Sequence, residues 1–162
     1  MTKNAIGLDI KSSEKLALEL NRLLATYQVF YMNTRGYHWN IKGVQFFELH
    51  TKFEEIYNNL QEKVDEVAER ILTLGHTPVH AFSDYVKTSL IKEDVNVTKA
   101  QGCLSGLLNG FKTLLELQRG ILEVASEAGD EGTASQMSDY IKEQEKLVWM
   151  FHSACETCCI TK

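Results

Sequence analysis

The sequence predicts an all-α protein, a four-helix bundle with a long crossover between its second and third helices. Apolar residues recur at helical spacing in four long segments of the 162-residue chain. The only proline, Pro78, lies outside all four segments, so long helices are permitted there. The connection over residues 76–95 is too long for a simple helical hairpin and suits a crossover.

The chain is expected to begin with a short N-terminal arm, residues 1–11. Ser12 or Ser13 can accept a hydrogen bond from the free N–H groups of a first turn, so one of them is the expected N-cap. The helix that follows is predicted to run to about Tyr37 or His38. Its apolar face consists of Leu16, Leu20, Leu23, Leu24, Tyr27, Phe30 and Tyr31.

The second helix is predicted from about Phe46 to Leu74. Gly75 suits a helix C-terminus, and Pro78 prevents the helix from resuming at once. Within the crossover, residues 83–87 are expected to form one short helix.

The third helix is predicted over residues 98–126, and the fourth begins near Thr133, after a break at residues 129–132. The bundle is thus expected to span residues 12–154, followed by a cysteine-rich tail over residues 155–162. Small residues recur every four positions on the third helix and are expected to let another helix approach closely: Gly102, Gly106 and Gly110.

Composition narrows the range of functions. No run of apolar residues is long enough to span a membrane, and the N-terminus lacks the apolar segment of a signal peptide, so a cytoplasmic protein is expected. Three cysteines crowd into the last eight residues, which is not the pattern of a disulfide framework. The four are Cys103, expected to be a buried small apolar residue, and Cys155, Cys158 and Cys159.

Five side chains have the chemistry of iron ligands: His38, His50, Glu54, Asp65 and Glu69. His50 and Glu54 are four residues apart and share a helix face, as do Asp65 and Glu69. Mixed imidazole and carboxylate ligands suit Fe(II). Taken singly, however, each residue is more often an ordinary surface charge or a capped histidine than a ligand.

One chain alone cannot bring all five together. His50 and Asp65 are fifteen residues apart on one helix, which separates them by about 22 Å. A bundle that holds its own metal pair uses Glu-x-x-His motifs, and the sequence has none. Either these residues do not form one site, or two chains build it. A two-fold axis crossing the second helix near residue 59 or 60 would set His50 and Glu54 against Asp65 and Glu69 of a second copy.

The sequence resembles the Dps family of ferritin-like proteins over nearly its whole length. The order, spacing and residue types of several segments carry the resemblance. These segments are residues 37–43 (YHWNIKG), 46–50 (FFELH), 53–57 (FEEIY), 65–71 (DEVAERI) and 145–150 (EKLVWM). A match this long is far more specific than any single short motif.

The resemblance implies a ferritin-like bundle assembled from two-fold dimers into a hollow shell of twelve subunits. It implies that Fe(II) is oxidised between subunits, preferably by hydrogen peroxide, and stored inside as ferric mineral, which protects against oxidative damage. His38, His50 and Glu54 match the iron ligands of one chain, and Asp65 and Glu69 match those of its partner. Zinc accepts the same ligands and is an alternative occupant of the site.

The family commonly has aspartate where Glu54 stands, and the longer side chain changes how that carboxylate reaches the metal.

Trp39, beside His38, is a candidate acceptor for stray oxidising equivalents and joins the five ligands as a candidate catalytic residue. The alternative is that Trp39, like Trp149, is a packing residue.

An acidic cluster marks the start of the fourth helix: Glu127, Asp130, Glu131 and Asp139. The resemblance places this region near a three-fold pore, where carboxylates would raise the local concentration of Fe(II). The alternative is an ordinary acidic helix start, which the helix dipole favours.

The C-terminal tail has three interpretations. If the last helix continued, one face would carry His152, Cys155, Cys158 and Cys159, a combination suited to a soft metal. A frayed terminal segment is the favoured alternative. The third is cross-linking between neighbouring subunits under oxidation.

Direct binding to DNA is expected to be weak or absent. The chain carries a formal charge of −5, so twelve copies total −60, which repels duplex DNA. The first eleven residues offer only Lys3 and Lys11 beside the terminal amine, against Asp9. The competing hypothesis is a DNA-binding, nucleoid-protecting shell whose metal site is incidental. A self-contained di-iron oxidase is disfavoured by the missing Glu-x-x-His pairs.

Overall fold

The structure, a computed structural model that describes residues 2–155, is all-α. Its helices are α1 (Ile10–Asn40), α2 (Phe46–Thr73), α3 (Phe82–Thr88), α4 (Ala100–Glu127) and α5 (Glu131–Ala154). Within this range the only β-type pairing is two isolated bridges, Lys3 with Asp9 and Lys42 with Lys99. The predicted fold class is confirmed: four long helices form the bundle, and α3 is the short helix of the crossover.

α1 begins earlier than the sequence predicted. Its N-cap is Asp9, whose carboxylate accepts a hydrogen bond from the Ser12 N–H at 3.0 Å. This bond lowers the pKa of Asp9, and so do hydrogen bonds from the Ser12 hydroxyl and from the Lys11 N–H. The expected cap at Ser12 or Ser13 was wrong, because the carboxylate one turn earlier satisfies the free N–H groups. Ser13 lies inside the helix and donates to the Asp9 carbonyl at 3.0 Å.

The N-terminal arm lies against the bundle. The Asn4 side-chain amide donates to the Ser13 hydroxyl at 3.0 Å and to the Leu74 carbonyl at 3.3 Å. The Ile10 N–H donates to the Thr2 carbonyl at 3.0 Å, and Leu8 packs on the core. Residues 2–9 are therefore docked onto the end of α2.

α1 ends at Asn40, slightly later than expected, and the chain then turns sharply. The Ile41 N–H donates to the Tyr37 carbonyl at 3.0 Å and closes the helix. The next N–H, that of Lys42, instead donates to the Thr98 carbonyl at 2.8 Å. The turn between α1 and α2 is thus tied to the segment that precedes α4.

The predicted end of α2 is confirmed. Gly75 adopts a positive φ of 89°, and the His76 N–H reaches back to the Ile71 carbonyl at 3.1 Å. This is the usual glycine-dependent ending of a helix. The short crossover helix, expected at residues 83–87, is α3.

α5 starts two residues before the expected Thr133. Its N-cap is Asp130, whose carboxylate accepts from the Thr133 N–H at 3.1 Å. The cap therefore comes directly after Gly129, which has a positive φ of 68°. α4 begins at Ala100 rather than at residue 98, and Lys99 is its N-cap.

The helices pack in two pairs. α1 packs mainly against α2 and α4 against α5, while α1 also contacts α4 and α3. One continuous apolar core joins them. Its largest fully buried side chains are Tyr27, Tyr37, Phe30, Phe53, Phe111, Leu16, Leu20, Leu23, Leu24, Ile41, Leu60 and Ile71. Among residues 2–155, no helix has the length and apolar character needed to cross a bilayer.

Gly106 and Gly110 of α4 make room for aromatic side chains of α1. A Cβ atom at Gly110 would overlap the Phe30 ring, and one at Gly106 would overlap the Tyr37 hydroxyl. Phe30 also packs edge-on against Phe111, with ring centroids 5.2 Å apart. The predicted close approach at these glycines is therefore made by side chains rather than by a neighbouring helix backbone.

A closed ring of hydrogen bonds occupies the centre of the bundle. The Tyr27 hydroxyl donates to Gln118 Oε1 at 2.6 Å, and Gln118 Nε2 donates to Gln144 Oε1 at 2.8 Å. Gln144 Nε2 closes the ring by donating to the Tyr27 hydroxyl at 2.6 Å. All three side chains are completely buried. They link α1, α4 and α5 through neutral, mutually satisfied groups.

Candidate metal centre

His38 and His50 lie side by side where α1 meets α2. His38 is in the last turn of α1 and is buried, while His50 is in the first turns of α2 and is partly buried. Their imidazole rings stack with centroids 3.8 Å apart and planes inclined by 17°. The sharp turn after α1 brings these residues together, although they are twelve positions apart in the chain.

Each histidine is oriented by the backbone carbonyl of the other. His38 Nδ1 lies 2.6 Å from the His50 carbonyl oxygen, and His50 Nδ1 lies 2.8 Å from that of His38. A carbonyl only accepts, so Nδ1–H is the donor in both rings. In the neutral imidazole this leaves Nε2 with its lone pair available on both residues. Metal-binding histidines usually have such an Nδ1–H···O=C bond.

The end of α1 explains why the His38 carbonyl can accept this bond. In a continuing helix it would receive the N–H of Lys42. That N–H instead binds the Thr98 carbonyl, so the His38 carbonyl is left for the ring of His50. The path of the turn therefore fixes the orientation of a side chain in the following helix.

Aromatic side chains flank the histidine pair on both sides. Phe46 stacks against His50 with centroids 5.0 Å apart and an interplanar angle of 21°. Tyr57 packs edge-on against His38 at 5.3 Å and 80°. These contacts restrict rotation of both imidazoles, so their Nε2 atoms are held in fixed positions.

The three predicted carboxylate ligands are exposed on α2. Glu54 is one turn after His50 on the same helix, whereas Asp65 and Glu69 are much further along it. α2 is continuous, so Asp65 stays about 22 Å from His50. Within residues 2–155, no three His, Cys, Asp or Glu side chains are grouped to hold a metal ion. A single chain thus brings the two histidines together and leaves Asp65 and Glu69 apart from them.

Trp39 lies outside the core, beside a cation. Its side chain is 57% exposed, and Trp149 is 65% exposed. Neither indole packs in the core of the single chain, so the alternative interpretation of the two as packing residues has no support within one subunit. The Arg35 guanidinium lies 5.1 Å from the centre of the Trp39 ring, a favourable cation–π distance.

The acidic cluster at the start of α5 divides into two kinds of carboxylate. Asp130 is buried and binds Arg70 through an ion pair of 2.6 Å. Burial alone would raise the pKa of Asp130, but hydrogen bonds from Thr133 and the charge and hydrogen bond of Arg70 hold it below its ordinary value. Asp130 therefore joins α2 to α5, and its carboxylate does not face solvent. The carboxylates of the cluster that do face solvent are those of Glu127, Glu131 and Asp139.

The helix that carries His152 ends before Cys155, so these two residues do not share a continuous helix face. α5 ends at Ala154, and Cys155 has an extended conformation, with φ −112° and ψ 101°. Cys158 and Cys159 are outside the described residues.

In the bundle, Cys103 is buried as predicted, and burial together with the charge of Asp94 raises the pKa of its thiol to about 11.

Sequence inspection did not single out three residues that shape the site. Phe46 and Tyr57 flank the imidazoles, and Arg35 lies one turn before His38. Spacing offers a signal in retrospect, because Tyr57 follows His50 by seven residues and so shares its helix face. Arg35 precedes His38 by three residues and so shares the face of α1 on which His38 lies.

Comparison with known proteins gives one consistent answer. Residues 17–158 match the model of the ferritin-like domain. The chain is 70% identical to an uncharacterised protein of Haemophilus influenzae, over 98% of this chain and 99% of that one. It is 47% identical to a DNA protection during starvation protein of Porphyromonas gingivalis, over 89% and 91% of the two chains.

A solved structure agrees with the sequence comparisons. The Dps protein of Vibrio cholerae, described as a member of the ferritin-like diiron-carboxylate superfamily, superimposes with a TM-score of 0.93 at 61% identity. The match covers 94% of this chain and 96% of that one. The chain therefore belongs to the Dps family of ferritin-like proteins.

Proposed function

We propose that the protein is an iron-storage and detoxification protein that oxidises Fe(II) at sites shared between two subunits. The observation that carries the proposal is the histidine pair. His38 and His50 each use Nδ1 for the other's backbone, which leaves the Nε2 lone pair of both rings for a metal ion. Both are suited to bind Fe(II), yet Asp65 and Glu69, the carboxylates that would complete the site, are out of reach on the same chain.

A second copy would supply the missing ligands. With a two-fold axis near residue 59 or 60, His38, His50 and Glu54 of one subunit would face Asp65 and Glu69 of the partner subunit. Each dimer would then hold two equivalent sites. The imidazoles bind ferrous iron without adding charge, and the carboxylates balance the charge that increases as iron is oxidised.

The rest of the proposed function follows the family. Hydrogen peroxide is the proposed oxidant, and the ferric product is proposed to accumulate inside a shell of twelve subunits. Removal of Fe(II) and peroxide together would prevent the formation of hydroxyl radicals. The printed name of the Porphyromonas gingivalis relative, which refers to protection of DNA, is consistent with this role.

Protection is proposed to proceed without tight binding to DNA. The net charge of −5 per chain opposes contact with a polyanion. Residues 2–9 are docked on the bundle through Asn4 and Leu8, so they do not form a free basic arm. A mobility-shift titration at low salt is expected to show no retention at protein concentrations that protect DNA from iron and peroxide.

The decisive experiment is complementation between two inactive variants. His50→Ala and Asp65→Ala are each loaded anaerobically with Fe(II), mixed with peroxide and followed by ferric absorbance. Each variant alone should lose fast oxidation. Co-expressed chains should regain part of it, because one of the two sites in a mixed dimer keeps all its ligands. Glu123→Ala, an exposed carboxylate on α4, is the matched control and should behave as wild type.

Two results would refute the proposal. If wild-type protein oxidised Fe(II) no faster than buffer, the chain would not be a ferroxidase. If mixing the two variants restored nothing while each assembled normally, the site would not be shared between subunits.

A further inference from the structure

Arg35 is held in an aromatic enclosure one helical turn from the histidine pair. Its guanidinium carbon lies 5.0 Å from the centre of the Tyr57 ring, 5.1 Å from that of Trp39 and 5.7 Å from that of Tyr31. One guanidinium nitrogen, Nη1, also donates to the Tyr31 hydroxyl. Arg35 therefore has a defined position rather than a freely solvated one.

This cation lacks an anionic partner within its own chain. Among residues 2–155, Arg35 takes part in none of the five ion pairs. Its Nε atom is buried and has no hydrogen-bond acceptor in that range. A partly desolvated guanidinium without a carboxylate is costly, and its positive charge beside an iron site would oppose binding of Fe(II). Both observations indicate that a carboxylate comes from outside the chain.

The proposed two-fold arrangement identifies that carboxylate. It sets the histidine pair of one subunit against Asp65 of the partner subunit. One helical turn towards the axis leads from His38 to Arg35 on α1, and from Asp65 to Glu62 on α2. Glu62 is exposed, has no ion pair within residues 2–155, and lines a groove together with Tyr31 and Asp65.

We propose that Arg35 forms an ion pair across the two-fold interface with Glu62 of the partner subunit. The inference rests on the proposed function, because it uses the same axis, and it adds the contact that aligns the two chains. The pair occurs twice in each dimer, beside each iron site. It neutralises Arg35 next to the bound cation, and it favours the register in which Asp65 and Glu69 reach the histidines.

The test uses charge reversal in two separate chains. In Arg35→Glu homodimers two carboxylates would face each other at each contact, and in Glu62→Arg homodimers two guanidinium groups would do so. Both should therefore dissociate at protein concentrations about tenfold higher than wild type, or more. A mixed dimer of the two variants has opposite charges at both contacts, because one chain then carries a carboxylate at positions 35 and 62 and the other carries a guanidinium at both. Co-expression should restore wild-type sedimentation without added iron, and so should both substitutions placed in one chain.

The exposed pair Arg119–Glu145, joined at 2.6 Å within one chain, provides the control. Co-expression of Arg119→Glu with Glu145→Arg should produce no preferential association, because each chain carries its own mismatch. Circular dichroism should show the same helix content in all variants.

The outcomes separate this inference from the proposed function. If co-expression of the Arg35 and Glu62 variants failed to restore association, the ion pair would be refuted, even if His50→Ala and Asp65→Ala complemented each other. Restored association together with absent iron oxidation would support the ion pair and refute the ferroxidase. Unchanged assembly of both single variants would also overturn the inference.

Discussion

His38 and His50 exchange hydrogen bonds, each ring donating Nδ1–H to the backbone carbonyl of the other residue, at 2.6 and 2.8 Å. Side-chain orientation and backbone path are therefore coupled at the junction of α1 and α2. The junction is itself held by the bond from Lys42 to Thr98. The fold thus sets the orientation of both imidazoles, which would reduce the cost of ordering them if they bind a metal ion as proposed.

Replacing Phe46 by alanine should weaken Fe(II) binding by about tenfold, a typical effect of removing support behind a metal ligand. The Phe46 ring stacks on His50, and its loss would let that imidazole rotate. Anaerobic calorimetry with Fe(II) measures the change. Val44→Ala, at a fully exposed position of the same turn, is the control. Equal affinities for the two variants would show that stacking does not orient His50.

Trp39→Phe should increase hydroxyl-radical release during the reaction of Fe(II) with peroxide. Trp39 is adjacent to His38, and its exposed indole is a candidate acceptor for a stray oxidising equivalent. A spin-trap assay reports the leaked radical. Trp149→Phe removes another exposed indole, far along the chain from Trp39, and should leave the signal unchanged. Identical signals from wild type and Trp39→Phe would contradict the prediction.

Gly110→Ala should destabilise the protein, although alanine is the better helix former by about 1 kcal/mol. The added methyl group would overlap the Phe30 ring, and overpacking of this kind costs about 1–3 kcal/mol. Gly120→Ala on the same helix meets no atom within 4 Å and should be neutral or stabilising. Urea unfolding compares the two free energies of unfolding. A stabilised Gly110→Ala variant would show that Phe30 moves aside without cost.

Asp130→Asn should reduce the free energy of unfolding by about 2 kcal/mol at neutral pH, the scale of a hydrogen bond to a charged group. The folded state lowers the pKa of Asp130 below the reference value of 3.8. Its stabilising contribution is therefore complete above 3.8 and is lost as pH falls through the lower folded value. Urea unfolding over a pH series should show wild type and variant converging only below 3.8. A difference that stayed constant under acid conditions would assign the effect to packing.

The sequence allowed the four-helix bundle and most of its connections to be predicted because apolar spacing is a local signal. Periodicity located the four long helices, and Gly75 marked the end of α2. Helix starts were less certain, since several neighbouring residues can act as caps. The N-cap of α1 is Asp9 rather than Ser12. The N-cap of α5, Asp130, also binds Arg70, a long-range partner that spacing does not reveal.

The candidate site was only partly predictable, for a physical reason. Ligand chemistry and helix spacing identified the histidines and carboxylates as a set. The mutual bonds of His38 and His50 depend on how the turn after α1 packs on Thr98, and the position of Arg35 depends on three rings from two helices. Side-chain packing of this kind has no periodic signature.

The ring of hydrogen bonds formed by Tyr27, Gln118 and Gln144 has a consequence for where a metal ion could bind in the bundle. The centre of the bundle is filled by neutral groups whose hydrogen bonds are already satisfied. These groups offer an entering cation no negative charge in exchange for its water shell. A ferrous ion would therefore find no binding site at this ring. If iron is oxidised between subunits, as proposed, the capacity for oxidation would scale with the number of paired chains rather than with the number of folded ones.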